Sequence, residues 1–304
     1  MIYDVLIVGS GPAGITAGIY AQRANLKVAM FEKNAPGGQL VNYNEIENYT
    51  GFKKMAGYEL AQAMIDHAYD IGVEVIYEGV TEVQDLGKIK KVITEEQTYE
   101  AKSVIIATGN VPRRLGVENE DQLASNGISW CAICDGPLYK GQKVVVVGGG
   151  NSAVEEAAYL TTLASHVTVV QNLKELTADK KAQDILMKAK NVDFKFSSVV
   201  TKFIKGDQGL EGVVIKNDQG NEETIEATGC FEYVGMIPVT EMVKDLGITT
   251  DYGYIKTNEK LETIVPGIFG AGDVIEKHIR QVVTATSDGA IAAQNVLKYL
   301  ETLE

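Results

Sequence analysis

The sequence predicts an α/β protein made of two related domains, the second inserted into the first. Two segments share one order of elements: an apolar strand, a glycine-rich turn, a helix of small residues and a second strand. The first contains DVLIVGSGPAG and the second KVVVVGGGNSAVEEAAYL. Each is followed by short alternating strands that close on Ala-Thr-Gly, at 107–109 and 227–229. Strands that alternate with helices in this way form parallel sheets with helices on their faces.

The remaining tail contains no glycine-rich turn of its own. We therefore expect it to complete the first domain. The prediction is a discontinuous first domain of residues 1–112 and 242–304, and an inserted domain of residues 113–241. Paired linkers between compact domains are where hinges usually lie.

Composition excludes several classes of function. The chain has 304 residues and a net charge of −13, which argues against binding to nucleic acid or to anionic membrane surfaces. The uncharged stretch 5–21 is preceded by Asp4 and interrupted by glycines, so we interpret it as a strand, turn and helix rather than a signal sequence. Three cysteines do not make a secreted disulfide framework, which predicts a cytoplasmic protein without a membrane span.

The first glycine-rich turn matches GxGxxG at Gly9, Gly11 and Gly14. The first glycine permits a tight turn, the second lets a pyrophosphate approach the backbone, and the third permits close helix packing. The following helix directs its amide donors at that anion. Glu32 ends the next strand, where an acid accepts hydrogen bonds from ribose hydroxyls. This combination predicts a Rossmann-type dinucleotide site.

The second turn has Gly148, Gly150 and Ala153 in the same context. The position that corresponds to Glu32 is Gln171. An acid for an NAD ribose and an arginine for an NADP phosphate are both missing there. Two interpretations stay open: a nucleotide site that has lost its usual readout, or a turn kept only for packing.

Cys131 and Cys134 form a CxxC pair within SWCAICDG. Zinc needs about four ligands, and the scattered histidines lack ligand spacing, so we expect no metal site. A purely structural disulfide across so short a loop would remove little chain entropy and would be reduced in the cytoplasm. A redox dithiol is favoured, with Asp135 placed to transfer the proton. Cys230, in an apolar strand, is expected to be a buried thiol.

The ordered motifs resemble those of the low-molecular-weight thioredoxin reductases along essentially the whole chain. The matching motifs are GSGPAG, PGGQL with IENYTG, IIATG followed by RRLG, CAICDG, GGGNSAVEEA, and GIFGAGDV with RQVVTA. The resemblance implies two Rossmann-like FAD/NAD(P)-binding domains of the three-layer ββα type, in a homodimer with one FAD per subunit.

The resemblance also implies roles for individual residues. Cys134 would lie against the flavin, Cys131 would attack the disulfide of the protein substrate, and Asp135 would be the acid and base. Asp273 would face the ribityl and phosphate region, and the amide of Val282 would meet the isoalloxazine ring. The residues expected to bind FAD are Gly9, Gly11, Pro12, Ala13, Gly14, Glu32, Gly38, Gln39, Leu40, Asn48, Thr108, Gly109, Gly272, Asp273, Arg280, Gln281 and Val282.

The sequence departs from the family in the second nucleotide site. NADPH-using members would have arginines at Asn172, Leu173 and Thr177, and a histidine at Gln171. Arginine suits a phosphate because its planar fork pairs bidentately with it. We therefore predict a degenerate site, which comprises Gly148, Gly150, Asn151, Ser152, Ala153, Gln171 and Asn172.

The predicted function is FAD-dependent reduction of thioredoxin or a thioredoxin-like protein. NADPH is not expected to be the donor, NADH is possible, and reduced ferredoxin is slightly favoured because the family includes ferredoxin-dependent relatives. Ferredoxins are typically acidic, so docking on this acidic chain would need a local positive patch such as Arg113 and Arg114. Two alternatives stay open: a flavin dithiol oxidase, and a flavin-bearing sensor with a vestigial CxxC.

Overall fold

The computed structural model describes residues 1–42, 46 and 48–303, without the side chains of Asn42 and Cys134. The chain divides into two compact units. Unit 1 comprises Met1–Val111 and Ile237–Glu304, and unit 2 comprises Pro112–Met236. Within the described part of the chain, we find no helix with the length and apolar character needed to span a membrane.

The elements of unit 1 come from both ends of the chain. The first part contains β1 (Ile2–Val8), α1 (Pro12–Arg23), β2 (Val28–Phe31), α2 (Gly57–Asp70), β3 (Glu74–Ile76), β4 (Val80–Asp85), β5 (Lys90–Thr94), β6 (Thr98–Ile106) and β7 (Asn110–Pro112), the last ending at the boundary.

Unit 2 is continuous in sequence. It contains α3 (Glu120–Leu123), β8 (Ile128–Ser129), α4 (Ala132–Asp135), β9 (Lys143–Val147), α5 (Asn151–Thr161), β10 (His166–Val170), α6 (Lys180–Leu186), β11 (Val192–Lys195), β12 (Ser198–Gly206), β13 (Gly209–Asn217), β14 (Glu222–Glu226) and β15 (Gly229–Glu232). The chain then returns to unit 1 through β16 (Met236–Pro238), followed there by β17 (Ile268–Gly270) and α7 (Val282–Glu301).

The sheet of unit 1 is built around β1. Its strand order is β3-β2-β1-β6-β5-β4, and β17 pairs with the last part of β6. The strands β3, β2, β1, β6 and β17 run parallel to one another. Strand β5 pairs antiparallel with both of its neighbours, β6 and β4. The consecutive apolar residues of β1 and β2 are buried, as expected for strands covered on both faces. The carboxyl ends of β1 and β6 therefore lie side by side, which brings the first glycine-rich turn next to residues 107–109.

Unit 2 repeats this plan in a smaller sheet. Its parallel strands have the order β11-β10-β9-β15-β8, and β12-β13-β14 form a separate antiparallel sheet. The pairs β9–β10 and β9–β15 correspond to β1–β2 and β1–β6 of unit 1. Cys230 lies in β15 as a free and fully buried thiol, which is the environment expected from its apolar strand.

Candidate active site

The first glycine-rich turn connects β1 to α1. Gly9 has φ +105°, and a Cβ there would lie 2.5 Å from the carbonyl oxygen of Ala107. At Gly14 a Cβ would lie 1.9 Å from the carbonyl oxygen of Gly9, whereas at Gly11 the nearest atom would be the Gly38 Cα at 3.8 Å. Gly9 and Gly14 are thus required by the protein's own packing. Gly11 is not, so its missing side chain leaves space for a ligand.

Glu32 is held beside this turn. Its carboxylate accepts hydrogen bonds from Ser10 Oγ and, at 2.7 Å, from the amide of Asn34. A carboxylate has about four acceptor positions, so two are still available. The half-buried side chain is therefore fixed in orientation and able to accept from a ribose diol.

Segments distant in sequence converge on the same turn. The amide of Gly37 donates to the carbonyl of Ser10 at 2.8 Å, which places the PGGQL segment against it. A Cβ on Gly272 would lie 2.8 Å from the Cβ of Ala13, so the Gly272–Asp273 turn touches the start of α1. Pro12 and Ala13 are the first two residues of that helix.

The other residues predicted to bind FAD occupy the surroundings of this site. Gln39 donates to the carbonyl of Asn110 at 3.2 Å, and Thr108 donates to the carbonyl of Val239 at 2.6 Å. Asn48 donates to Gln281 at 2.9 Å, across 233 positions of sequence. Leu40 belongs to a small buried cluster against which Val282 packs. Gly38, Gly109 and Gly272 all adopt left-handed conformations.

Asp273 provides the observation that tests the fit of a cofactor. Its Oδ1 atom is buried without a hydrogen-bond partner among the described residues. Burial raises the pKa of this carboxyl, although Lys277 and Arg280 act in the opposite direction. Arg280 donates to the carbonyl of Asp273 at 3.3 Å and stacks over Tyr254 at 4.3 Å from the ring centroid. A buried acceptor without a partner is costly, and a ligand hydroxyl would satisfy it. The residues of unit 1 therefore fit a dinucleotide cofactor.

Two substitutions separate packing from cofactor binding. Gly14→Ala places a Cβ on a backbone oxygen, so we expect the apo-protein to lose about 3 kcal/mol of unfolding free energy. Gly11→Ala should leave that free energy nearly unchanged. It should lower the amount of flavin bound per chain, because the methyl group would occupy the space for the pyrophosphate. Denaturant unfolding and flavin absorbance measure both effects. Equal flavin content in Gly11→Ala and the unmodified protein would contradict this assignment.

The second glycine-rich turn, between β9 and α5, is covered by the chain itself. The amides of Thr177 and Ala178 donate to the carbonyl of Gly149 at 2.8 and 3.1 Å. Asp179 and Asn151 exchange hydrogen bonds of 2.7 and 3.0 Å. These bonds tie the segment of residues 172–179, which follows β10 and is called the covering segment below, to the turn.

Gln171 lies under this covering segment and is 5% exposed. A Cβ on Gly149 would be 2.2 Å from its Nε2 atom. Its Nε2 donates to the carbonyl of Glu175 at 3.3 Å, and its Oε1 accepts from the amide of Asn172 at 3.1 Å. The structure thus places Gln171 where the sequence alignment of the two turns predicts, but its amide binds the chain's own backbone.

The dithiol segment, residues 130–135, follows β8 and includes α4. Cys131 is disulfide-bonded, and its amide donates to Ser129 Oγ at 3.1 Å. Ser129 in turn donates to the Asp135 carboxylate at 2.7 Å. The prediction for the side chain of Cys134 lies outside the described residues. Ser129 therefore fixes both the predicted acid and the backbone of Cys131.

Buried and half-buried side chains also contact this segment. The hydroxyl of Tyr233 accepts from the amide of Ala132 at 2.7 Å, and Trp130 donates to Glu232 at 2.9 Å. Glu156, on α5, accepts from the backbone of Ile133, and burial raises its pKa to about 7, with the charge of Glu155 adding to this effect. Below that pH the carboxyl is largely neutral.

Sequence reasoning missed several of these residues. Ser10 and Ser129 lie inside motifs that we singled out, and a hydroxyl beside a functional acid was the available signal. Glu156, Glu232 and Tyr233 have no comparable signal, because their role depends on the packing of α5 and β15 against the dithiol segment.

Among the described residues, no group of three or more His, Cys, Asp or Glu side chains forms a metal-binding cluster.

Two dinucleotide-type folds and a disulfide-bonded Cys131 define a dinucleotide-dependent disulfide oxidoreductase. Residues 3–289 match the family model described as pyridine nucleotide-disulphide oxidoreductase, and the chain belongs to this family. It is 46% identical over 305 residues to the thioredoxin reductase of Bacillus subtilis, covering 100% of this chain and 96% of the relative. The corresponding values for Listeria monocytogenes thioredoxin reductase are 44% over 304 residues, 100% and 95%.

Solved structures give the same result. Thioredoxin reductase from Streptococcus pyogenes is 49% identical, with a TM-score of 0.81 and 99% of each chain covered. A ferredoxin-flavin thioredoxin reductase from Clostridium acetobutylicum is 30% identical, with a TM-score of 0.54 and coverage of 99% of this chain and 98% of that one. The predicted α/β class with two Rossmann-like domains is confirmed, as is the class of flavoprotein disulfide oxidoreductase.

Proposed function

We propose that this chain reduces the disulfide of thioredoxin or a thioredoxin-like protein through a Cys131–Cys134 dithiol. The observation that carries the proposal is the disulfide-bonded Cys131 next to an Asp135 that Ser129 orients. The names of the relatives at 44% and 46% identity support thioredoxin as the substrate. In this proposal the FAD-binding residues are those that surround the first glycine-rich turn.

FAD supplies, when bound, the electron pair that the disulfide accepts. The turn at Gly9–Gly14 would hold its pyrophosphate, and Glu32 would bind the ribose. Asp273, whose Oδ1 is buried without a partner among the described residues, would accept from a hydroxyl of the cofactor. Gln39, Asn48 and Gln281, with the other residues predicted for this site, form its remaining wall.

The thiol chemistry needs only the side chains of unit 2 and the substrate. The Cys131 thiolate attacks one sulfur of the substrate disulfide, so the substrate S–S bond breaks and a mixed disulfide forms. Cys134 then attacks the Cys131 sulfur, which restores the Cys131–Cys134 disulfide and releases the substrate as a dithiol. Asp135 passes a proton to the departing thiolate. The substrate gains two electrons and two protons, which the dithiol loses.

Asp135→Asn should slow turnover by about 100-fold, because an amide cannot exchange the proton. Ser129→Ala is the matched control. It keeps the acid but removes its hydrogen bond, so we expect a smaller loss of kcat than in Asp135→Asn. A full rate in Asp135→Asn would remove this residue from the mechanism.

The donor is proposed to be a carrier other than NADPH. Asn172, Leu173 and Thr177 occupy the positions where a 2′-phosphate would need arginines. Gln171 is buried and bonded to Asn172 and Glu175, in contrast to the half-buried Glu32 carboxylate of the first turn. Reduced ferredoxin is the favoured donor, and the ferredoxin-flavin relative at 30% identity supports it.

NADH is the second candidate because the β9–α5 turn keeps its Rossmann backbone, with Gly148 at φ +128°. Anaerobic mixing of the purified protein with NADPH, NADH or reduced ferredoxin, followed by flavin absorbance, tests the donor. We expect fast bleaching with ferredoxin and slow bleaching with micromolar NADPH. Fast bleaching by NADPH would overturn the donor proposal while leaving the disulfide chemistry intact.

A further inference from the structure

Trp130, the residue before Cys131, makes one contact through the edge of its indole ring and another through the face of the ring. Its indole Nε1 donates to Glu232 Oε2 at 2.9 Å. The guanidinium of Arg114 lies 3.7 Å from the ring centroid, which is a cation–π contact. Trp130 is the only tryptophan of the chain, so its emission reports on this one place.

Glu232 belongs to a pair of buried carboxyls. Glu232 is 3% exposed and Glu120 is 2% exposed. The Glu120 carboxylate accepts from the amides of Leu115, Gly116 and Val117, at 2.9, 2.6 and 3.2 Å. Among the described residues, no N–H or O–H group donates to the buried Oε1 atom of Glu232, and the neighbouring carboxyl within hydrogen-bonding reach of the Glu232 side chain is that of Glu120. An ionised Glu232 would therefore place an uncompensated charge beside a second one.

The groups that act on Glu232 come from α3, from the segments before α3 and after β8, and from β15 itself. Burial is the main cause that raises its pKa to about 8, and Glu120 on α3 adds to it. The bond from Trp130 and the charge of Arg114, both from the segments that flank α3 and β8, lower the pKa. Cys230, on the same strand, is buried and itself has a pKa raised well above its usual range, so it is a neutral thiol.

The end of β15 contacts the chain on both sides of Cys131. Glu232 binds the side chain of residue 130, and the hydroxyl of the next residue, Tyr233, binds the amide of Ala132. Since Cys131 lies between these two anchors, a displacement at either one changes how the dithiol segment is held.

We propose that Glu232 is a positioning residue of the dithiol segment, with a proton on Oε1 shared with Glu120 while Oε2 holds Trp130. Loss of the proton sets two buried carboxylates against each other. Glu232 must then move away from Glu120, and Trp130 moves with it. The importance of this movement for turnover rests on the proposed disulfide exchange, but the movement itself does not.

The test is the emission of Trp130 in the oxidised holoenzyme, titrated between about pH 6 and pH 9, a unit below the ordinary pKa of tyrosine of about 10. The unmodified protein should show one transition with a midpoint near pH 8, the pKa of Glu232. Glu232→Gln should abolish it. The matched control is Glu118→Gln, which removes an exposed carboxylate that pairs with Lys202 in the same region and should leave the transition in place.

A second variant tests the proposal even if Glu232→Gln does not fold. Arg114→Met removes a cation that lowers the pKa of Glu232, so the midpoint should rise while Glu232 stays in place. An unchanged transition in Glu232→Gln, a midpoint that does not rise in Arg114→Met, or no transition in the unmodified protein would overturn the proposal.

Stability and turnover give independent readouts. The unfolded carboxyl ionises near its ordinary value of 4.5 and the folded one near 8, so Glu232 binds more protons in the folded state between these values. Folding stability should therefore fall as the pH rises through this window, and Glu232→Gln should reduce that slope. In the unmodified protein the kcat/KM for the disulfide substrate should change with a midpoint near pH 8, the pKa of Glu232, and Glu232→Gln should lose that change. A protein that shows the emission transition but reduces no disulfide would refute the proposed function alone.

Discussion

Cys131→Ser should abolish reduction of a protein disulfide, with a loss of at least about 1,000-fold in kcat/KM, because the attacking thiolate is gone. Flavin content should be unchanged, since the residues proposed to bind FAD lie in unit 1. Cys134→Ser should also stop turnover, but for another reason: the mixed disulfide on Cys131 could form and would not be resolved. Anaerobic assays with oxidised thioredoxin and flavin absorbance measure both.

The two variants are controls for each other. By family analogy Cys134 is the flavin-facing thiol, so Cys131→Ser should keep a thiol-dependent perturbation of the flavin spectrum that Cys134→Ser loses. Identical spectra would contradict the assignment of the two roles. Normal turnover in Cys131→Ser would instead favour the sensor with a vestigial CxxC.

NADPH should bind this enzyme about 100- to 10,000-fold more weakly than an enzyme with the arginines, since each lost charged hydrogen bond costs roughly 1.5–3 kcal/mol. Arginines at Asn172, Leu173 and Thr177 should restore much of this affinity. All three side chains are exposed, so the longer arginines fit without disturbing the core. Flavin reduction at varied NADPH concentration gives the apparent affinity.

NADH is the matched control for the same triple variant. It lacks the 2′-phosphate, so its use should be unchanged while that of NADPH improves. No improvement for NADPH would indicate that the covering segment, tied by Thr177, Ala178 and Asp179 to the turn, keeps nucleotides out. An equal gain for both nucleotides would contradict a specific phosphate contact.

The sequence predicted the elements that carry the strongest local signals. From the sequence alone, the small residues after the first glycine-rich turn predict a helix up to about Arg23, and α1 ends there. The sequence of the tail likewise predicts a final helix from about Gln281 to Leu300, and α7 spans Val282–Glu301. These elements are predictable because their glycines, apolar strands and small-residue helices leave few alternatives for the backbone.

The surroundings of the dithiol could not be predicted in this way. Nothing in the sequence alone distinguishes Trp130 from a packing residue or gives Glu232 a role. Their bond spans 102 positions of sequence, and it exists because β15 pairs in parallel with β8. A single sequence gives no sign of that neighbourhood. For the same reason the unpartnered oxygens of Asp273 and Glu232 emerge only from the packed structure.

The most direct test of the account is to trap the exchange at Cys131. The Cys134→Ser variant is mixed with a thioredoxin that retains only its attacking cysteine, activated as a disulfide with an aromatic thiol. We expect one equivalent of aromatic thiol to be released and a mixed disulfide that peptide mass spectrometry maps to Cys131, with Cys131→Ser forming little adduct. No adduct in Cys134→Ser, or an adduct on the buried Cys230, would contradict the proposal that this protein reduces disulfides through Cys131.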